Sequence, residues 1–381
     1  MRILITTLLH DVHAVAVALA LRDRGHVVDL HHGADFPSRQ LQSFGIGSGA
    51  APFVRVRDDA SDYGFQAPDV VWNRRPTRGA EPAALHPADR AFARRESQHL
   101  ANSVWALAAP DAFWINPRAS AVRARLKPVQ LCAARDAGFA VPDTLVSNDP
   151  VAIRAFLRAH GTVAYKPMMS ANWIDERGGQ LALYTKRITE ADLPGDDALA
   201  LCPGIFQRFV AKRHELRVTV MGNSLFTLKL DSAAHALAQD DWRRAQCLGL
   251  DATRAELPGA VAERCLEVMR RLGLVYGCID LIVDERGEYV FLEVNEMGQF
   301  LFNEVMAPAM PMLDAFVRFC ESGNPQFVHR EQAGGRVELA ALLARAQVQM
   351  DAEACVHCPP APWTTSDERD PHAGAPAAAA A

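Results

Sequence analysis

A chain of 381 residues, 49% apolar and 22% charged, has the make-up of a folded globular protein rather than a disordered or fibrous one. Its length predicts two or three domains. Forty basic against 45 acidic residues leave a net charge of -5, which gives no electrostatic footprint for nucleic acid. No run of eighteen apolar residues predicts a membrane span, and "MRILITTLLH" meets Asp11 and His13 where a signal sequence would need a cleavage pattern. The expectation is a cytoplasmic protein that partners neither membrane nor nucleic acid. Among eight cysteines only Cys355 and Cys358 have paired spacing, and a lone C-x-x-C is half of a four-ligand zinc site.

The opening, "RILITTLLHDVHAVAVALALRDRGHVVDLHH", reads as strand, loop, helix closed at Gly25, then strand, a βαβ-like unit without G-x-G-x-x-G. "DVVWNRRP" is an apolar strand running into Arg74 and Arg75, and "FARRESQHLANSVWALA" has helical spacing. This α/β region closes near "WINPRAS". "LKPVQLCAARDAGFAVPDTLVS" predicts a helix with Pro128 in its first turn and Gly138 past its end. "TVAYKPMM" is a short strand carrying Lys166, and "SANWIDERGGQLALYTKRI" reads as a hairpin with a polar tip. "GIFQRFVAKRHELRVTVMGNSLFTLKL" gives strand, loop, strand, turn, strand, with "AKRH" read as a solvated face or local anion site. A helix is predicted over Ala260 to Leu272. Past Gly334 only "RVELAALLARAQVQM" looks structured, and the tail ending "HAGAPAAAAA" is low in complexity, so the whole tail is expected to be dispensable.

The most informative stretch is "CIDLIVDERGEYVFLEVNEMGQF", Cys278 to Phe300. "DERG" marks a turn between two alternating apolar runs. Pairing Leu281 with Val290 and Ile279 with Leu292 would gather Ile279, Leu281, Val283, Val290, Leu292 and Val294 on one face. Asp280, Phe291, Glu293 and Asn295 would then share the other, with Asp280 and Glu293 as diagonal neighbours. Three oxygen-bearing side chains on one face suit a hard cation, and Mg2+ typically takes one or two carboxylates with water and phosphate completing its shell. A nucleotide site is one reading. Solvent-facing polar residues of an antiparallel sheet are the other.

Taken in order, "ILITTLLHDVHA", "VVWNRRP", "NPRASAVRARLKPVQLCAARDAGFAVPDT", Lys127, Lys166, "FQRFVAKRHELRV", "DWR" (Asp241 to Arg243), "IDLIVD" and "FLEVNEMGQF" resemble an ATP-grasp ligase. Within that fold they resemble the microviridin-type ribosomal peptide maturases, the graspetide synthetases, over roughly residues 1 to 327. The resemblance implies an α/β protein, α+β in its catalytic lobes. It would comprise an N-terminal pre-ATP-grasp α/β domain (1–118), a central ATP-grasp lobe (119–206), a C-terminal ATP-grasp lobe (207–330) and a helical or disordered tail (331–381).

The resemblance also implies roles for residues. Lys127 and Lys166 would contact ATP phosphates, as compact point charges suited to polyphosphate. Gln207 and the backbone near Phe209 and Val210 would meet adenine, and Glu215 the ribose. Asp280, Glu293 and Asn295 would hold Mg2+, and Arg217 would stabilise negative charge developing on the reacting phosphate. Arg74 and Arg75 are a candidate substrate-side anion site, or arginines that cap a strand end. The implied reaction converts a carboxylate into an acyl phosphate, from which an amine or hydroxyl displaces phosphate. The implied partner is a precursor peptide, whose side chains would be joined to one another, and a homodimer is left open. A ligase for small-molecule carboxylates and a non-catalytic ATP-dependent peptide-binding module are the competing readings.

Overall fold

The computed structural model describes residues 1–360 apart from 59–61, 65–67, 78, 80, 83, 108, 170–171, 175–179, 183, 234–241, 243–249 and 331–334. The expected βαβ unit opens the chain. Strands Val27–His32, Arg2–Thr7, Val70–Asn73 and Phe113–Ile115 lie side by side in that order, all parallel. Between the first two in sequence runs helix Val12–Asp23, started by Asp11, whose carboxylate accepts from the His13 N–H, and followed by Gly25 at φ +85°. Its sequence is apolar all round, and such a helix is stable only when covered on every side. Helices Met312–Ser322 and Leu339–Val356 provide the cover. An antiparallel ladder of Leu41–Gly47, Ala50–Arg57 and Asp62–Gly64 stands apart from this sheet.

Two further sheets follow. Lys186–Ile188, Val163–Lys166, Gly204–Arg208 and Thr144–Ser147 form an antiparallel sheet whose apolar side, Val163, Ile188 and Phe206, packs with Ile153 and Leu157 of helix Pro150–His160. Asn172–Ile174 and Gln180–Ala182 pair as the expected hairpin, whose tip lies outside the described residues. The second sheet runs Ala252–Ala255, Ser224–Leu230, Lys212–Met221, Tyr276–Asp284, Tyr289–Asn295, again antiparallel. Helices Gly259–Leu272 and Lys127–Asp136 pack on its apolar face through Val261, Cys265, Val268 and Ala134. The buried Gln130 amide extends its edge, donating to the Val294 carbonyl at 2.9 Å and accepting from the Val294 N–H at 3.0 Å. That pairing fixes the start of the helix, and with it Lys127, over the end of strand Tyr289–Asn295.

The tail departs from expectation. Leu339, Leu342, Ala346 and Met350 are buried in the largest core cluster, with the helix that follows Asp11. Arg345 pairs with Asp23 at 2.6 Å, the Leu339 N–H donates to Glu304 at 3.1 Å, and His357 meets Asp35 at 2.6 Å. The segment "RVELAALLARAQVQM" forms a helix, as its sequence suggested, but its apolar residues join the core, which the composition of the tail did not predict. The alanine-rich end lies outside the described residues, as do Asp241 and Arg243 of "DWR". Among the described residues, no helix is long and apolar enough to cross a membrane.

Candidate functional site

The hairpin register differs from the one its hydrophobic pattern predicts. Ile279 pairs with Val294, Asp280 with Glu293, and, past an irregularity, Leu281 with Phe291 and Val283 with Tyr289. The extra residue is Leu292, in mid-strand, where no glycine or turn residue announces a bulge. Phe291 consequently joins Ile279, Leu281 and Val283 in the core, 6.0 Å from the Phe139 ring, instead of sharing the polar face. Leu292 turns to the cleft beside Ile282 and Glu293. The two carboxylates are directly opposite rather than diagonal, with Asn295 two residues further along the same strand.

Across three strands the paired positions read Arg217, Asp280, Glu293, and Lys127 closes the row from its helix. Arg217 Nη1 donates to both oxygens of Asp280 at 2.8 Å, and Lys127 ion-pairs with Glu293. Asn295 Nδ2 donates to Asp280 at 3.1 Å and to Glu293 at 3.3 Å. Directly opposed like charges repel, so a cation is the natural occupant of the space between the carboxylates. Burial raises the Asp280 carboxyl, Arg217 opposes this and Glu293 adds to it, the balance lying at about 6. Burial works against a charged Arg217, and Asp280 overcomes it, holding the guanidinium above its ordinary value. Among the described residues no three acidic, histidine or cysteine groups form a self-sufficient metal site. Two carboxylates and one carboxamide oxygen fit a cation that shares its shell with phosphate and water.

This row floors a cleft whose opposite wall is the four-stranded sheet, and Lys127, Lys166, Gln207, Val210, Glu215 and Glu293 all line it. Lys166 and Gln207 are diagonal across adjacent strands, and Lys166 Nζ donates to Gln207 Oε1 at 2.8 Å. Gln207 Nε2 donates to Thr144 at 2.9 Å, so its amide already orients Lys166 as well as facing the cleft. Phe209 and Val210 fall between the strands of the two sheets, outside either ladder. Glu215 accepts from Lys212 at 2.5 Å and from Ser232 at 2.7 Å.

Lys212 is the cleft residue that sequence reasoning missed. In a regular strand residues 212 and 215 point to opposite faces, and a register shift between Lys212 and His214 brings them together. Nothing in "AKRH" signals that shift. The cleft thus sets Lys127, Lys166, Arg208 and Lys212 against Glu215, Asp280 and Glu293, a surplus of positive charge suited to a polyphosphate.

Arg74 and Arg75 stand elsewhere, behind the loop Glu296–Phe300. That loop is held residue by residue: Asn116 donates to the Glu296 carbonyl at 2.9 Å, Arg74 to Met297, Tyr276 to Gly298 at 2.6 Å and Arg217 to Gln299 at 3.4 Å. A Cβ on Gly298 would lie 2.4 Å from Cys278 Sγ, so only glycine lets the loop lie flat on the strand beneath it. Arg74 is 0% exposed, not an open anion site as the sequence allowed, because its chain crosses the layer to reach Met297. Arg75, 3.7 Å from Asp11 and over a third exposed, is the one that faces outward.

The fold and cleft define the protein as having the architecture of ATP-grasp ligases. No known family model matches the chain, and no curated protein sequence does. Among solved structures it resembles macrocyclase MdnC of Microcystis aeruginosa MRC, bound with precursor peptide MdnA, at 25% identity and TM-score 0.74, covering 84% of this chain and 100% of that one. Macrocyclase MdnB of the same organism is similar at 26% identity and TM-score 0.70, covering 84% and 98%. A RiPP-associated ATP-grasp ligase of Chryseobacterium gregarium, in complex with ADP and a leader and core peptide, shares the fold at 24% identity and TM-score 0.73, covering 85% and 95%. These are graspetide-type ligases, the group that the sequence motifs resemble.

Proposed function

We propose that the protein is an ATP-dependent, Mg2+-requiring ligase that joins side-chain carboxylates of a ribosomally made precursor peptide to amine or hydroxyl side chains of the same peptide. The observation that carries this reading is the cross-strand row Arg217, Asp280, Glu293, closed by Lys127, inside a cleft of ATP-grasp form. Lys127, Lys166 and Lys212 hold the phosphates, the backbone at Phe209 and Val210 meets adenine, and Glu215 meets the ribose. Gln207 orients Lys166 and borders the adenine pocket. Asp280, Glu293 and Asn295 would hold Mg2+, which would supply neutralisation of phosphate charge. Lys127, paired with Glu293 at the end of the row, lines the same cleft, where its ammonium can meet a phosphate. Arg217, fixed by Asp280 and the Gln299 carbonyl, faces the charge that grows as the carboxylate attacks the terminal phosphate. Arg75 serves the acidic substrate from the outer side, with Arg74 anchoring the loop between them.

In the division at 1–118, 119–206, 207–330 and 331–381, the parallel sheet lies in the first part and the five-stranded sheet in the third, while strand Gly204–Arg208 of the four-stranded sheet crosses the bound at 206, which belongs after Arg208. A cytoplasmic location, where ATP is abundant, is consistent with this reading. The test is incubation with ATP, Mg2+ and acidic peptides bearing Ser, Thr or Lys. The expected products are ADP, phosphate and peptide lighter by one water per bond formed. Release of AMP and pyrophosphate, or ligation of free amino acids with every peptide left intact, overturns it.

A further inference from the structure

Thr144 opens strand Thr144–Ser147 of the four-stranded sheet, and the scheme above gives it no task. It stands directly opposite Gln207, which in turn stands opposite Ala164, two residues before Lys166 and on the same face of its strand. Thr144, Gln207 and Lys166 therefore form one row across three strands, in the wall that faces the charged floor. The hydrogen bonds along this row admit one arrangement. The Thr144 hydroxyl donates its proton to the Pro142 carbonyl at 2.7 Å, so toward Gln207 it can only accept, and it takes Gln207 Nε2 at 2.9 Å. At the other end the Lys166 ammonium, which has no acceptor to offer, donates to Gln207 Oε1 at 2.8 Å. Both neighbours demand the same orientation of the amide, nitrogen to threonine and oxygen to lysine.

Gln207 is 3% exposed and lines the cleft together with the apolar Leu131, Pro142, Ile282 and Leu292, a setting suited to a flat base. A carboxamide oxygen has two lone pairs, and Lys166 takes one of them. The other makes Gln207 an acceptor toward the base, able to receive from the 6-amino group of adenine and to receive nothing from the 6-carbonyl of hypoxanthine or guanine. A 6-oxo base would leave two acceptors face to face and desolvated, and such a mismatch costs more than a missing bond. Lys166 alone does not secure this choice, because the same ammonium also serves the phosphates. The Thr144 contact holds the amide whichever partner Lys166 takes. We propose that Thr144 is the positioning residue that sets base selectivity in this cleft: it locks the Gln207 amide with its oxygen available to the base, so that a 6-amino purine nucleotide is taken and a 6-oxo one refused.

This rests on the nucleotide site of the ligase reading, and direct binding tests it without any peptide. ADP and IDP, which share sugar and phosphates and differ at the 6-position of the base, are titrated into the full-length protein with Mg2+ by calorimetry. The unmodified protein should prefer ADP by at least about 30-fold, and Thr144→Val, which keeps the side-chain shape and removes the hydroxyl, should narrow that preference at least about tenfold, chiefly through weaker ADP binding. Thr144→Ser, which keeps the hydroxyl, should retain the preference within about threefold. Thr144→Ala provides the same comparison should Thr144→Val not fold, with thermal melting confirming the folded state. An unchanged preference in a folded variant lacking the hydroxyl, equal weakening of both nucleotides, or equal binding of both by the unmodified protein overturns the assignment and leaves the ligase reading standing. Failure of the unmodified protein to bind either nucleotide overturns that reading, and this proposal with it.

Discussion

The cleft floor and the tail-covered helix are built on opposite principles. In the floor, Arg217, Asp280, Glu293 and Lys127 spend four charged side chains on neighbouring positions, and the two inner ones repel. Around helix Val12–Asp23, apolar side chains from Leu339–Val356 and Met312–Ser322 make most of the packing, and the pair Arg345–Asp23 lies at the rim. The first arrangement is under tension that a nucleotide and cation relieve. The second is held mainly by apolar packing. Substitutions should therefore separate the regions, harming chemistry in one and stability in the other.

The largest effect is expected where the distinction breaks down. Asp280→Ala removes a carboxylate from the floor and also strands the buried Arg217, so stability should fall by about 3–5 kcal/mol along with loss of ligation. Denaturant unfolding checks this, and Arg217→Met combined with Asp280→Ala should recover part of the stability without the activity. Glu293→Ala sharpens the comparison, because its partner Lys127, partly exposed, can turn to water more readily than the buried Arg217. Peptide-dependent ATP turnover should drop roughly 100- to 1000-fold, the range for loss of one charge-stabilising group, while the melting temperature stays near that of the unmodified protein.

Leu342→Ala tests the other region. It should cost about 2–3 kcal/mol in chemical denaturation, with turnover per folded molecule unchanged, and removal of the tail from Gly334 should uncover the helix and promote aggregation. The smallest effect belongs to the rim. Arg345→Ala should leave stability almost unchanged, since the pair is half exposed and screened by water. The hydrogen bond from Arg345 holds the Asp23 carboxyl below its ordinary range. A lowered folded value means the contribution is in place at neutral pH and is lost only as pH falls below about 4. A difference between unmodified and variant protein that grows above neutral pH would contradict this.

Much of the catalytic sheet was legible in the chain. Alternation and a "DERG" turn give the hairpin, and the same period gathers Asp280, Glu293 and Asn295 on one side, because a strand sends alternate side chains to opposite faces. The register escaped, since a bulge at Leu292 is favoured by what packs beneath the strand. Phe291 gains a place against Phe139, and no local residue type records that preference. Lys212 escaped for the same reason, through a register shift beside His214. Lys166 was marked by interrupting an apolar strand. Its bond to Gln207 was not, because that depends on which strands are neighbours.

The sequence by itself determined the elements and the chemical types in the cleft: periodicity is local, and so are turn and capping residues. It also carried the ordered motifs by which the chain resembles graspetide synthetases. Tertiary structure alone decided three things. It buried Arg74 instead of opening it to substrate, because the loop Glu296–Phe300 needed an anchor from the first sheet. It made the helical part of the tail, Leu339–Val356, into core, because the helix after Asp11 had an apolar face left to cover. It set Asp280 directly against Glu293, because burying Phe291 stabilises the sheet more than an uninterrupted ladder would. In each case the deciding partner lies far away in sequence, and its contribution exists only once the layers have packed.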